Sequence, residues 1–304
     1  MITIKKVNDE IIIPRKVKNI HDPKRIVGYQ LFPDVYSNIL ITAKKNSGKT
    51  NVVMKILDRC VGDNTEIIAF VGTLNKDQIW LDAQKRWGEQ FTGYTSIIDD
   101  ETGEDRIKNL VEDLKAQAEE EEAALKLALQ KKALEKKLSR NEKYKIPEHL
   151  VMLAKKEFKQ MNIIEPEEEE KDKMIAPEFI IIFDDISNEL HNKHLLKLVK
   201  EGRHYHCKII ISSQYLLDTK PALIKQIDYF LIFAKIGDDK LHRIYDNSDL
   251  IIDFDTLIAL YHNATESVPF GFLYIDPSGK QTYRRKFNEQ YTIKSGFGKQ
   301  LSTR

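Results

Sequence analysis

Short apolar runs, each ending in polar residues, recur along the chain. Ile39-Leu-Ile41, Glu66-Ile-Ile-Ala-Phe-Val-Gly72, Glu178-Phe-Ile-Ile-Ile-Phe-Asp-Asp185, Cys207-Lys-Ile-Ile-Ile-Ser-Ser-Gln214 and Asp228-Tyr-Phe-Leu-Ile-Phe-Ala234 are near-continuous rather than alternating. Such runs predict strands covered on both faces, the environment of a parallel sheet. Between them, apolar residues recur at helical spacing: Val52, Val53, Ile56 and Leu57; Ile79, Trp80, Ala83 and Trp87; Leu195, Leu196, Leu198 and Val199. These predict amphipathic helices. A weaker strand is expected over Tyr94–Asp99, with short helices over Leu241–Tyr245 and Phe254–Tyr261. A closing hairpin is expected from Pro269–Asp276 and Lys280–Phe287 around Pro277-Ser-Gly279. Alternating strands and helices define an α/β fold, a mostly parallel sheet flanked by helices, with right-handed crossovers.

Two regions break this rhythm. Residues 1–37 read as a β-rich lead-in, with strand candidates at Met1–Lys6 and Glu10–Pro14, and Pro14, Pro23 and Pro33 preclude a long helix. Tyr29, Phe32 and Tyr36 are candidates to stack on a base, or else ordinary core residues. Residues 104–175 form a charged helical insertion. In it Ile107, Leu110, Leu114, Ala118, Leu125, Leu129 and Leu138 fall at steps of three and four, Glu119–Glu122 is acidic and Lys131–Lys145 basic. Pro147 interrupts the pattern, His149–Met161 resumes it and Glu165–Glu170 reads as a solvated linker. About 37 helical residues would reach roughly 55 Å, so the insertion is expected to protrude. Its basic block either contacts DNA or a partner, or is a solvated face laced with ion pairs. The core is then 38–103 with 176–290, and 291–304 is a polar tail.

The chemistry concentrates after the first strand. Ala43-Lys44-Lys45-Asn46-Ser47-Gly48-Lys49-Thr50 joins that strand to a helix beginning at Asn51, the context of a phosphate-binding loop. Backbone N–H groups and the positive helix end can cradle a polyphosphate. Gly48 permits close approach, Lys49 can reach the β- and γ-phosphates, and Thr50 can ligate Mg²⁺. Ala43 stands where such loops have a first glycine; alanine resists positive φ, so that turn must differ or be strained. Asp184 and Asp185 end a central strand, at the edge where ligands bind in open α/β sheets. Asp184 suits Mg²⁺ through its water shell, and Asp185 suits orienting or deprotonating a water. Gln214, at the tip of another strand, can hydrogen-bond a γ-phosphate and the water. Arg203 precedes that strand, so it belongs near the opposite edge. There it either pairs with a local carboxylate or, always charged and forked, reaches a neighbouring subunit's phosphates. Arg284 and Arg285 are further candidates for that role or for DNA contact.

Composition narrows the picture only a little. With 48 Lys and Arg against 47 Asp and Glu among 304 residues, the net charge of +1 does not advertise nucleic acid. The two cysteines, Cys60 and Cys207, lack metal-site spacing and read as buried thiols in a reducing compartment. Neither a signal pattern nor a membrane-length apolar run is evident, so a soluble intracellular protein is expected.

The Ala43–Thr50 loop, the Phe179–Asp185 strand, Gly202-Arg-His204 and Ile209-Ile-Ile-Ser-Ser-Gln214, in that order, resemble the genome-packaging ATPases of large DNA viruses and virophages. These are the poxvirus-type branch of the FtsK–HerA superfamily of P-loop NTPases. The resemblance covers roughly residues 38 to 275 without the insertion. It implies a RecA/FtsK-like fold, ATP and Mg²⁺ as cofactors, and catalytic roles for Asp185, Gln214 and a trans-acting arginine such as Arg203. It further implies a hexameric or pentameric ring around double-stranded DNA, attached to a capsid vertex or internal membrane. The setting would be the host cytoplasm, a viral factory or the virion. Ala43 and the long insertion depart from the family's pattern. A regulatory NTPase acting on assembly through its long helix, without moving DNA, is the other reading kept. A small-molecule kinase is less supported, since no cluster of lid arginines stands out.

Overall fold

The computed structural model of the chain describes residues 22–138, 152, 173–186, 189–214, 220–266, 268–278 and 281–293. The strands expected before residue 22, the helix resuming at 149, the linker at 165–170 and the end of the tail lie outside the described residues.

The apolar runs form strands because both of their faces are covered. β1 (Asn38–Thr42), β2 (Glu66–Val71), β3 (Phe91–Tyr94), β4 (Phe179–Asp184), β5 (Cys207–Ser213), β6 (Tyr229–Phe233), β7 (Phe272–Asp276), β8 (Thr282–Arg285) and β9 (Glu289–Gln290) form one sheet. Its order is β3-β2-β4-β5-β1-β6-β7-β8-β9. Pairing is parallel from β3 to β6 and antiparallel from β6 to β9. The register sets β4 beside β5, with Asp184 opposite Ser212, and β5 beside β1, with Ser212 opposite Ile41. All five central strand tips therefore emerge together at the carboxyl edge.

Helices α1 (Lys49–Cys60) and α2 (Gln78–Trp87) cover one face. Val53, Ile56, Leu57, Trp80 and Ala83 pack there against Ile41, Val71, Ile182 and Ile210. The other face takes the start of α3 (Arg106–Leu138), then α4 (Lys193–Glu201), the single turn α5 (Pro221–Ile224), α6 (Asp238–Tyr245) and α7 (Phe254–Thr265). Leu40, Phe70, Phe183, Ile211 and Phe230 pack against them. At about 25 cal/mol per Å² of apolar surface, these two layers supply the dominant stabilising term. Asn38 ties the base of β1 to its neighbours: its Nδ2 donates to the carbonyls of Val199 and Gln226 at 2.9 and 2.8 Å, and its N–H to Asp228 Oδ2 at 2.7 Å.

Two elements differ from the sequence reading. The third strand lies at Phe91–Tyr94, not at 94–99. Gly93 hides it from pattern reading; the Leu74 side chain packs closely over it, 2.7 Å from where a Cβ would stand. The first turns of α3 do not protrude: Ile107, Val111 and Leu114 are buried against the sheet, whereas Leu125, Leu127 and Leu129 farther along are exposed. Its 33 residues span about 50 Å.

At the amino edge of the sheet, His206 Nδ1 meets Glu178 Oε1 at 2.6 Å and the ring stacks on Tyr36. The bond to Glu178 raises the His206 pKa above 6.5, against the opposing effect of burial. The raised folded-state value means that the bond's stabilisation is complete below the unfolded pKa and is lost as pH rises through the folded one. Thermal unfolding of the parent and of His206→Gln should therefore differ most at about pH 5 and converge toward about pH 9. A gap independent of pH would assign the stabilisation to ring packing on Tyr36 instead.

Candidate functional site

The loop after β1 starts as an extension of the sheet. Ala43 N donates to Ser213 O at 3.2 Å, and the side chain is buried with Ile41 and Val53. Ala43 does not have positive φ; the turn is made later, at Asn46 (62°) and Gly48 (87°). Of the two expectations for this position, a different turn or a strained one, the turn differs: Ala43 is an ordinary core residue, and the loop reverses at residues that tolerate the left-handed region. Ser47 Oγ braces the loop by donating to Lys44 O at 2.6 Å. Gly48 is the residue before α1, so the N–H groups of Lys49, Thr50 and Asn51 form its first turn and have no partner four residues back. That helix end carries partial positive charge.

Two strands away, β4 delivers the acids. Asp184 is fully buried, and Asp185 turns out of the strand with φ of 55°. The turn fits only because residue 72 is glycine: a Cβ there would lie 2.6 Å from Asp185 O. Lys49 Nζ reaches Asp184 Oδ1 at 2.6 Å and Asp185 Oδ1 at 2.5 Å. From β5, which lies between β1 and β4, Gln214 Nε2 donates to the same Asp185 Oδ1 at 2.5 Å. Burial opposes the Asp185 charge, but hydrogen bonds from Lys49 and Gln214 and the lysine charge outweigh it and hold the carboxyl below its usual range.

One ammonium bonds two carboxylates, with the Lys45 charge acting on the partly exposed Asp185, and the fully buried Asp184 is costly to hold charged without close cationic partners. Asp184 Oδ2 and the neighbouring Ser212 Oγ are buried and have no protein partner. A hard divalent cation such as Mg²⁺, bound by oxygen, fits this donor set. Lys45, Asn46, Ser47, Gly48, Lys49, Thr50, Asn51, Asp185 and Gln214 line one cleft of about 420 Å³. A parallel sheet whose first strand feeds a Gly-Lys-Thr loop into a helix, with acids two strands away, decides the fold. It is that of a P-loop NTPase.

Other expected residues lie elsewhere. Arg203 sits at the opposite end of β5, about 20 Å from Gln214 at ~3.3 Å per residue, and pairs with Asp228. It does not join the cleft of its own chain. Of the aromatic candidates, Phe32 is a core residue against Tyr229 and Tyr274, and Tyr36 belongs to the amino edge with His206; only Tyr29 lines a cleft. Arg284 donates to the carbonyls of Gln30 and Phe287, and Arg285 pairs with Glu289. Sequence reading passed over Gly72, Thr73, Lys76, Asp77 and Phe270, all at this end of the sheet. The polar tip after β2 was the available signal for the first four. The Asp77 carboxylate also caps α2, accepting from Ile79 N at 3.0 Å.

No protein-family model matches the chain, and no curated protein matches it. Among solved structures, the chain is similar to the genome packaging NTPase B204 from Sulfolobus turreted icosahedral virus 2 in complex with AMP. The identity is 13%, over 86% of this chain and 100% of that chain, with a TM-score of 0.46. It is also similar to the pCW3 conjugation coupling protein TcpA with ATPγS, at 13% identity over 81% of this chain and 59% of that one, TM-score 0.43. The cytoplasmic domain of the Thermomonospora curvata type VII secretion ATPase EccC shares 9% identity over 86% and 26%, TM-score 0.40. Among the described residues, no helix is long and apolar enough to cross a membrane.

Gly72→Ala tests the geometry of the acids. The added methyl should push Asp185 off Lys49 and Gln214 and lower nucleotide turnover about 10²-fold, the cost of a misplacement near 1 Å. Nucleotide affinity should change little. Unaltered turnover would mean that the position of Asp185 is irrelevant to the chemistry.

Proposed function

We propose that this chain is a Mg²⁺-dependent ATPase that translocates double-stranded DNA and packages a viral genome, working as a homo-oligomeric ring. The convergence of Lys49, Asp184, Asp185 and Gln214 at three adjacent strand tips carries the hydrolase part. The order of the loop, the acid pair, Gly202-Arg-His204 and Ser212-Ser-Gln214, with its resemblance to packaging ATPases, supports the DNA part. Residues 38–103 and 176–290 are taken as the ATPase core and 104–175 as its insertion. Host cytoplasm or a viral factory, with docking at a capsid vertex or internal membrane, is the setting this reading implies.

In the proposed mechanism the triphosphate lies along Lys45–Asn51. Lys49 exchanges Asp184 and Asp185 for the β- and γ-phosphates, so the acids become free only when nucleotide arrives. Thr50 and Asp184 would hold Mg²⁺, which supplies neutralisation of phosphate charge. Asp185, still held by Gln214, orients the attacking water. Because the transition state is loose, positioning and charge placement do most of the catalysis. Gln214 links loss of the γ-phosphate to β5.

Asp185→Asn should retain Mg·ATP but hydrolyse it about 10²- to 10⁴-fold more slowly, while Asp184→Asn should also weaken dependence on Mg²⁺. Parent-like hydrolysis by Asp185→Asn would move the catalytic role to another carboxylate, such as Asp77, which lines the same cleft. Glu189 is less suited, since it accepts from Ile97 N at 2.6 Å and Ser96 Oγ at 2.9 Å. Addition of double-stranded DNA should stimulate the parent. Absence of stimulation in assembled protein would favour the regulatory NTPase, whose motivating feature is the exposed Leu125, Leu127 and Leu129 on α3.

Arg203 is proposed to complete a neighbouring subunit's site. Its place at the amino edge and its exposure suit contact in trans, worth about 10³ to 10⁵ in rate for an arginine finger. Lys49→Ala and Arg203→Ala, each inactive alone, should recover ATPase when mixed. Mixed assemblies that form without activity would leave Arg203 only its pairing with Asp228.

A further inference from the structure

Phe270 is the least expected residue near the phosphate loop. It is 66% exposed and lies in the left-handed region at φ of 53°, which β-carbon-bearing residues adopt only when their surroundings enforce it. Its surroundings do enforce it. Gly271 N donates to Val268 O at 2.9 Å, closing a tight turn, and a Cβ on Gly271 would meet Ala264 O at 2.5 Å. The ring lies against the phosphate loop: a Cβ on Gly48 would be 3.0 Å from Phe270 Cδ1. Gly48 is favoured by its backbone conformation, and the ring packs tightly against it.

Phe270 also stands where two clefts meet. The phosphate cleft shares Gly48, Asn51 and Phe270 with a larger one of about 1120 Å³ that runs along α1. Val52, Phe272, Phe287 and Tyr29 give the larger cleft apolar walls, with the amides of Gln30 and Asn288 among them, and Lys24, Lys55, Arg59 and Lys286 also line it. Apolar walls with polar groups among them, next to a phosphate cradle, match the division of a nucleotide into base and phosphates.

We propose that the base of the nucleoside triphosphate occupies this larger cleft with one face on the Phe270 ring. Phe270 is thus the residue that makes the site prefer a nucleotide to a bare polyphosphate. The inference rests on the hydrolase reading and deepens it. An aromatic ring accepts any base face, so stacking supplies affinity first and base choice second, with purines favoured by their larger surface. The strain and exposure at Phe270 are then offset when the base covers the ring.

Binding of ATP and of inorganic triphosphate, each with Mg²⁺, to the full chain separates the possibilities. Phe270→Ala should weaken ATP about 5- to 100-fold, the range for loss of one base–aromatic stack, and leave triphosphate unchanged. Phe270→Tyr, which keeps the ring, should bind ATP like the parent. ATP binding unaffected by Phe270→Ala would overturn the proposal. So would an equal loss for triphosphate, because the ring would then act by shaping the loop at Gly48. A parent that binds neither ligand would overturn the hydrolase reading and this inference with it.

Discussion

The Lys49 ammonium, held between Asp184 and Asp185, is the interaction around which the carboxyl edge of the sheet is arranged. Lys49 stands on the first turn of a helix, and the acids end a strand that is not adjacent to the strand feeding that helix. Their meeting requires β5 to lie between, and β5 brings Gln214 into the same hydrogen-bond network. A buried lysine facing two carboxylates is weak evidence for stability, because desolvation offsets most of the attraction. On the proposed function the arrangement serves binding more than stability, since a phosphate would take the lysine and a cation the acids.

Left-handed backbone gathers at the same place. Asn46, Gly48, Asp185 and Phe270 all have positive φ and all line the phosphate cleft. Elsewhere left-handed residues are scattered through turns. Asn46 and Gly48 tolerate this conformation, whereas at Asp185 and Phe270 it persists because the neighbouring packing over-determines it. Gly72 and Gly271 show how: each lacks a side chain where one would strike a carbonyl, of Asp185 and Ala264 respectively.

Much of the fold was legible because burial on both faces imprints itself as unbroken apolar runs. β1, β2, β4, β5 and β6 could be placed this way, and α1, α2 and α4 by their spacing. β3 escaped because Gly93 and Thr92 dilute its apolar content. In the site, Gly48, Lys49 and Thr50 were legible from local order, and the acids from their place at a strand end. Phe270 carried no such signal. An exposed phenylalanine after a proline reads like any loop aromatic until the turn that presents it is seen. Phe32 and Tyr36, equally aromatic, proved to belong to the core and to the amino edge.

The sequence by itself determined the local pieces: which runs become strands, where a loop hands over to a helix, and which strands end in acid or amide. These follow from short-range sterics and from the periodicity of burial. Only the tertiary structure decided the strand order, and hence that Lys49, Asp185 and Gln214 line one cleft with Asp184 buried against Lys49, while Arg203 lies at the far edge beside Asp228. Strand order depends on contacts between residues more than a hundred positions apart, such as Lys49 with Asp184. Long-range packing also selected, among chemically similar aromatic residues, the one that stands over the phosphate loop. No local pattern encodes such distances, because a side chain's neighbours across a sheet are set by the register and crossover of whole elements.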